Sequence, residues 1–179
     1  MSDAPSRRHV LSAIASTAVV AGAGSLTAAP PPPIDEPGLA FVYEAIATLK
    51  PTVEIGTTSR GTRRRIDITG GQFAGPRIRG TILPGGADWQ LQRADGWTEI
   101  EADYMMQADD GTLIHVRNVG LTNSRVPGVV QRYLRTTPSF EVPVGPHDWL
   151  NEGIFVGTLG PPPEGTPMPA VRIRVYQVT

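Results

Sequence analysis

Short runs of β-favouring residues return along this chain at intervals of roughly eight to twelve residues, each closed by a turn signal, a pattern that suits strands rather than long helices. The runs rich in Val, Ile, Tyr and Thr fall at 41–49, 52–55, 65–69, 77–83, 89–93, 97–107, 113–118, 131–136, 154–158 and 171–178. The last alternates cleanly, with Val171, Ile173 and Val175 on one side and Arg172, Arg174 and Tyr176 on the other, the period of a half-buried strand. Ala94-Asp95-Gly96 and Asp109-Asp110-Gly111 sit between strand-like runs and signal hairpins. Twenty glycines and 18 prolines in 179 residues supply the turns. No segment carries a long 3.6-residue apolar period; 145–151 alone reads as helical, with Pro146 in a first-turn position. The proline-dense stretch 160–169 reads as a loop.

These signals predict an all-β single domain. We expect a closed antiparallel β-barrel of about eight to ten strands rather than a sandwich, because closure removes both sheet edges. At most one short helical turn is expected, near 145–151. Polar residues on both faces of the 131–136 run (Gln131, Tyr133 and Arg135 beside Arg132 and Thr136) suit either a polar barrel interior or an edge strand.

The N-terminus has a different character. Ser6-Arg7-Arg8-His9-Val10-Leu11 opens a weakly apolar stretch of small residues that runs to Leu26, followed by Pro30–Pro33. This layout resembles a twin-arginine export signal, with an ordinary secretory signal as the alternative. The expected organisation is an export signal over 1–29, a proline-rich linker over 30–38 and a barrel over 39–179. The protein is then expected to be periplasmic or secreted, with no stable membrane span after cleavage.

Sixteen basic against 17 acidic side chains give a net charge of −1. A nucleic-acid binder would show a cationic excess, so none is expected as a partner. The absence of cysteine rules out disulfides, thiolate metal sites and a cysteine nucleophile. His115 and His147 lie far apart in sequence, and neither falls in an HxxxH or HExxH pattern with Glu141 or Asp148; no metal and no cofactor is expected.

Two segments are unusually dense. One runs from Gly70-Gly71 through Gly75-Pro76 to Pro84-Gly85-Gly86-Ala87-Asp88-Trp89; the other holds Arg135, Pro138 and Phe140-Glu141 and continues to Trp149-Leu150-Asn151. With Asp95-Gly96, Ala102, Tyr104, Asp109-Asp110-Gly111 and Val175-Tyr176, they resemble the domain-of-unknown-function 3237 family over nearly all of 41–178. The resemblance implies a closed barrel of modest size and no agreed reaction. Asp103 stands where members of that family usually carry a basic residue, and His115 where they usually carry Tyr.

Asp88 and Glu141, each beside an aromatic, are the candidate catalytic acid/base pair, since a carboxyl packed in an apolar cavity is poised as a proton shuttle. Arg135 is the candidate holder of a carboxylate, enolate or phenolate oxygen. Trp89, Tyr104, His115, Tyr133, Trp149 and Asn151 complete the candidate ligand-binding set. The expected function is cofactor-independent acid/base chemistry (isomerase, lyase or lactone hydrolase type) on an aromatic or polyketide-like small molecule. A non-catalytic, lipocalin-like binding barrel is the alternative. A purely structural arrangement, with Arg135 ion-paired to Glu141 or Asp88, also fits these residues, and a homo-oligomer is compatible with them.

Overall fold

The computed structural model describes residues 36–179. The export signal expected over 1–29 and the linker up to residue 35 lie outside the described residues. Among the described residues ten strands form: β1 (Leu39–Leu49), β2 (Val53–Thr58), β3 (Gly61–Ala74), β4 (Arg79–Ile82), β5 (Ala87–Gln92), β6 (Thr98–Ala108), β7 (Leu113–Thr122), β8 (Leu134–Glu141), β9 (Phe155–Gly160) and β10 (Ala170–Val178), with one 3₁₀ turn at Asp148–Glu152.

Every pairing is antiparallel, and the sheet closes on itself. Its order runs β1-β10-β9-β8-β7-β6, then to β3 through β4 and β5, and β3 pairs back with β1. β4 and β5 each pair with both β3 and β6, at different heights, so together they fill one of the eight staves. β2 pairs with the first half of β3 as a flap outside the closed ring. The protein is thus the expected closed barrel.

β3 explains this geometry. Its first half, from Gly61, pairs with β2 and β5; its second half, to Ala74, pairs with β1 and β4. The change of partners occurs at Gly70-Gly71, whose φ values are 143° and 141°, a region that L side chains rarely enter. A Cβ on Gly71 would stand 2.1 Å from the Ile46 carbonyl oxygen, so β1 and β3 approach closely only because no side chain is there. The expected strand at 65–69 is therefore the middle of a 14-residue strand: the glycines bend it instead of ending it.

β8 also differs from expectation, which placed a strand at 131–136. The strand runs Leu134–Glu141 and passes through Pro138. Its ladder to β9 stops at Thr136, so Pro138 sits where only β7 is paired beside it, a position a proline tolerates. The 3₁₀ turn covers the open side of β8 and buries Leu150. Arg63-Arg64-Arg65 lies within β3, where Arg64 is buried, donates to Gln92 and lies 3.5 Å from Glu54.

The inside of the barrel has two ends. At the 3₁₀ end large side chains fill it. Tyr43 lies 5.5 Å from Phe73 and 6.3 Å from Phe140, and Phe140 meets Phe155 edge-on at 5.0 Å. Met106, Ile114 and Leu150 complete this core. Toward the other end β6 presents Ala102, Ile100 and Thr98 inward and β1 presents Ala47. These smaller side chains leave the axis open.

Candidate functional site

The open end is a cavity of about 530 Å³. Strand alternation divides its wall into two arcs. Leu49, Ile66, Ile68, Leu159, Val171 and Ile173 make an apolar arc on β1, β3, β9 and β10. Asp88, Gln90, Thr98, Tyr104, Asn118 and Thr122 make a polar arc on β5, β6 and β7. The mouth carries Arg125, Arg132, Tyr133 and Arg135, most of them on the β7–β8 connection. That connection is pinned by buried Asn123, whose Oδ1 accepts from the Tyr133 N–H at 2.7 Å and whose Nδ2 donates to the Gln131 carbonyl at 3.0 Å.

Asp88 is the one carboxyl among the described residues that line the cavity. Gln90, two residues on and so on the same face, donates to its Oδ2 at 2.7 Å, and the Glu101 N–H donates to its Oδ1 at 3.3 Å. Burial pushes the Asp88 carboxyl above the usual aspartate value of 3.8, and the two hydrogen bonds offset part of that rise. Burial likewise pushes the Tyr104 phenol up to about 12. Tyr43, behind it, is raised well above 10.0 by burial and by the neighbouring Tyr104. The two phenols interact with one another through their side-chain oxygens, raising the Tyr43 pKa and offsetting part of the rise at Tyr104.

Four of the sequence-derived site residues come together here: Asp88 and Tyr104 in the wall, Tyr133 and Arg135 at the mouth. Arg135 is exposed, stacks 5.6 Å from the Tyr133 ring and donates to the Leu134 carbonyl. Among the described residues it is ion-paired with neither Asp88 nor Glu141.

The other candidates lie elsewhere. Glu141 is on the outer face with its side chain 84% exposed, 3.5 Å from His115. His115 also meets Asp103 at 3.1 Å, and that hydrogen bond, followed by the charges of Asp103 and Glu141, raises its pKa above 6.5. Asp103 and His115 therefore face each other outside the barrel. Trp89 points outward beneath Arg65, 5.4 Å away. Trp149 lies in the 3₁₀ turn at the opposite end, 4.0 Å under the Arg77 guanidinium. Asn151 is joined to the Val142 backbone, accepting from its N–H and donating to its carbonyl, each at 2.9 Å. His147 meets Asp110 at 3.1 Å.

Sequence reasoning missed Gln90, Thr98 and Asn118. Their signal was present: Ile114, Val116 and Asn118 are successive inward residues of β7, and a polar residue in an inward series marks either a satisfied network or a site.

Comparison with known proteins agrees with this architecture. The model of a family described as a protein of unknown function (DUF3237) matches residues 37–178. A UPF0311 protein of Rhodopseudomonas palustris is 34% identical over 131 residues, 66% of this chain and 84% of that one. A hydroalkoxylation enzyme of Penicillium herquei, phnH, is 29% identical over 122 residues, 68% of this chain and 74% of that one. Among solved structures, a beta-barrel like protein of Acinetobacter baumannii superimposes with a TM-score of 0.69 at 31% identity, covering 84% of this chain and 99% of that one. An enzyme from Penicillium herquei does so with a TM-score of 0.62 at 25% identity, covering 80% and 95%.

Proposed function

The chain belongs to the DUF3237 family, and from that premise we propose that its barrel receives an aromatic or polyketide-like small molecule on which Asp88 moves a proton without a cofactor. The observation that carries this reading is a single half-buried carboxyl, its pKa raised by desolvation, in the wall of a largely apolar cavity below a mouth with three arginines. A carboxyl whose pKa is raised by burial holds its proton more readily than a free one, and so can both give a proton and take one back. The arginines favour a ligand with an anionic end, and Arg135 is the residue assigned to hold it.

The relative named as a hydroalkoxylation enzyme suggests the reaction type: addition of a ligand's own O–H across its C=C bond. Asp88 delivers its proton to one alkene carbon, the hydroxyl oxygen bonds to the other, and the hydroxyl proton passes to Asp88. One O–H bond and one π bond are lost, one C–H and one C–O bond form, and the carboxyl is restored. Nothing is oxidised or reduced, so no co-reactant is needed.

A non-catalytic binding barrel is the second reading. It is favoured by the fact that both Asp88 oxygens already accept hydrogen bonds. One experiment separates the two. The purified protein is incubated with a metabolite extract of its host, and products of unchanged mass but altered retention are sought. Their formation by the native protein, with at least a tenfold loss in Asp88→Asn, supports catalysis. Full turnover in Asp88→Asn sinks the acid/base role, and recovery of bound but unaltered ligand supports binding alone.

The site of action belongs to the same proposal. The Arg7-Arg8 pair implies work outside the cytoplasm, and an Arg7, Arg8→Lys double variant is expected to stay inside the cell.

A further inference from the structure

Asn118 stands in the cavity wall and is only 2% exposed. The two polar atoms of its amide have different surroundings. Oδ1 is sealed inside the wall. Nδ2 is open to the cavity and, among the described residues, donates to no protein group. A side chain buried this deeply ordinarily has its polar atoms paired, and one that does not marks a place where something else supplies the partner. What Asn118 offers to a ligand is an amide N–H, which takes only an acceptor.

The surroundings narrow that acceptor. Asp88 on β5 is paired with Ala102 on β6, and Ala102 with Asn118 on β7. All three line the cavity, so they form one transverse row with the smallest side chain in the middle. A ligand lying over Ala102 has the proton-moving carboxyl on one side and a fixed N–H donor on the other. A carboxylate at Asn118 would be a charge desolvated against a single neutral donor, whereas three arginines wait at the mouth. A hydroxyl there would bring a proton that needs an acceptor of its own, and Asp88, the one carboxyl in the wall among the described residues, is committed to the reacting hydroxyl. A carbonyl oxygen meets the demand by itself: it accepts, and it carries neither proton nor charge.

We propose that Asn118 Nδ2 donates to a carbonyl oxygen of the ligand, which makes the ligand a carbonyl compound seated with that group inward and its anionic end at the mouth. Arg135 is in register with Leu121, three residues from Asn118, so the two ends are separated by about 10 Å of strand. Asn118 is a positioning and specificity-determining residue. It holds the ligand without moving a proton, and the proton path through Asp88 is unchanged. An analogue with CH₂ in place of the carbonyl oxygen leaves the Asn118 N–H buried and unpaired, the situation by which hydrogen-bonding sites reject such analogues. This inference rests on the cavity being the ligand site.

The test uses two probes of one shape that differ only in this acceptor, 6-acetyl-2-naphthoate and 6-isopropenyl-2-naphthoate, titrated calorimetrically into the full chain at pH 7. The acetyl compound is expected to bind at least about fivefold tighter. In Asn118→Leu that preference is expected to shrink to within about twofold, with isopropenyl binding retained. A second measurement needs no variant and gives the answer should Asn118→Leu fail to fold. In ¹⁵N-labelled native protein, a side-chain amide proton of Asn118 is expected to move downfield with the acetyl probe and to stay in place with the isopropenyl one. Equal affinity of the two probes for the native protein, a preference that survives in folded Asn118→Leu, or an Asn118 amide signal that the acetyl probe leaves unmoved overturns the carbonyl seat and leaves the cavity reading standing. No binding of either probe overturns both.

Discussion

Asp88 shows how much one residue's environment depends on its two neighbours in the strand. The Asp88-Trp89 pair looked like a carboxyl packed on an aromatic, but strand alternation sends Trp89 outward and Asp88 inward. Desolvation between its strand partners Ile66 and Ala102 raises the Asp88 pKa instead, and this has a thermodynamic signature. Because the folded state holds the Asp88 proton to higher pH than the unfolded chain does, folding binds protons above pH 3.8, and the contribution of this residue to stability falls as pH climbs through its folded pKa. Urea midpoints for native protein and Asp88→Asn are therefore expected to converge at acid pH and to separate toward neutrality, with the Asn variant the more stable of the two. A constant difference across that range would mean the carboxyl titrates normally. The same alternation accounts for what the sequence could not settle. Whether Glu141 and Trp89 face in or out depends on register, and register is fixed by pairings such as His115↔Glu141 and Arg65↔Trp89, which no local motif specifies.

At the scale of elements, the strands with regular alternation were legible and the bent ones were not. β10 falls close to where its Val–Ile–Val pattern put it, whereas β3 and β8 run through Gly70-Gly71 and Pro138, residues that read as breaks in isolation. What rescues them is the change of partners along each strand, a tertiary property. The β7–β8 connection is the element on which the site most depends, since it carries most of the mouth, and Asn123 makes two of the side-chain bonds that fasten it. Asn123→Ala removes both of its bonds, to Tyr133 and Gln131. The expected cost is about 1–3 kcal/mol, read from the urea midpoint. Hydrogen exchange should rise at the Tyr133 N–H while the β6–β7 ladder stays protected. Unchanged exchange at Tyr133 would show that the loop is held by something other than Asn123.

On the scale of the whole molecule, the barrel divides labour between a filled end and an open one. The aromatic cluster of Tyr43, Phe73, Phe140 and Phe155, closed by Leu150, supplies apolar burial that the cavity end lacks. Leu150→Ala is expected to destabilise the fold by roughly 2–4 kcal/mol, measured by denaturant unfolding, while probe affinity per folded molecule stays within about twofold. A large loss of affinity in the folded fraction would mean that the two ends are coupled. The closed topology itself was readable from strand spacing and turn chemistry, because ten short strands leave few other ways to hide two edges. The location of the cavity was not, since it follows from side-chain size summed around the ring, Ala47 and Ala102 against Phe73 and Met106.

The seam that closes the ring joins its first strand to its last: Leu39 is in register with Val178, and Thr48 with Ala170. A ribosome making this chain delivers β1 long before β10. The barrel cannot shut until β10 has emerged. Until then β1 has an unfilled edge and β9 lacks its outer neighbour, so the nascent protein carries two complementary strand edges that a second nascent copy could also satisfy. Deleting β10 (Ala170–Val178) would make that exposure permanent, and such a chain is expected to be recovered as aggregate rather than as a smaller barrel.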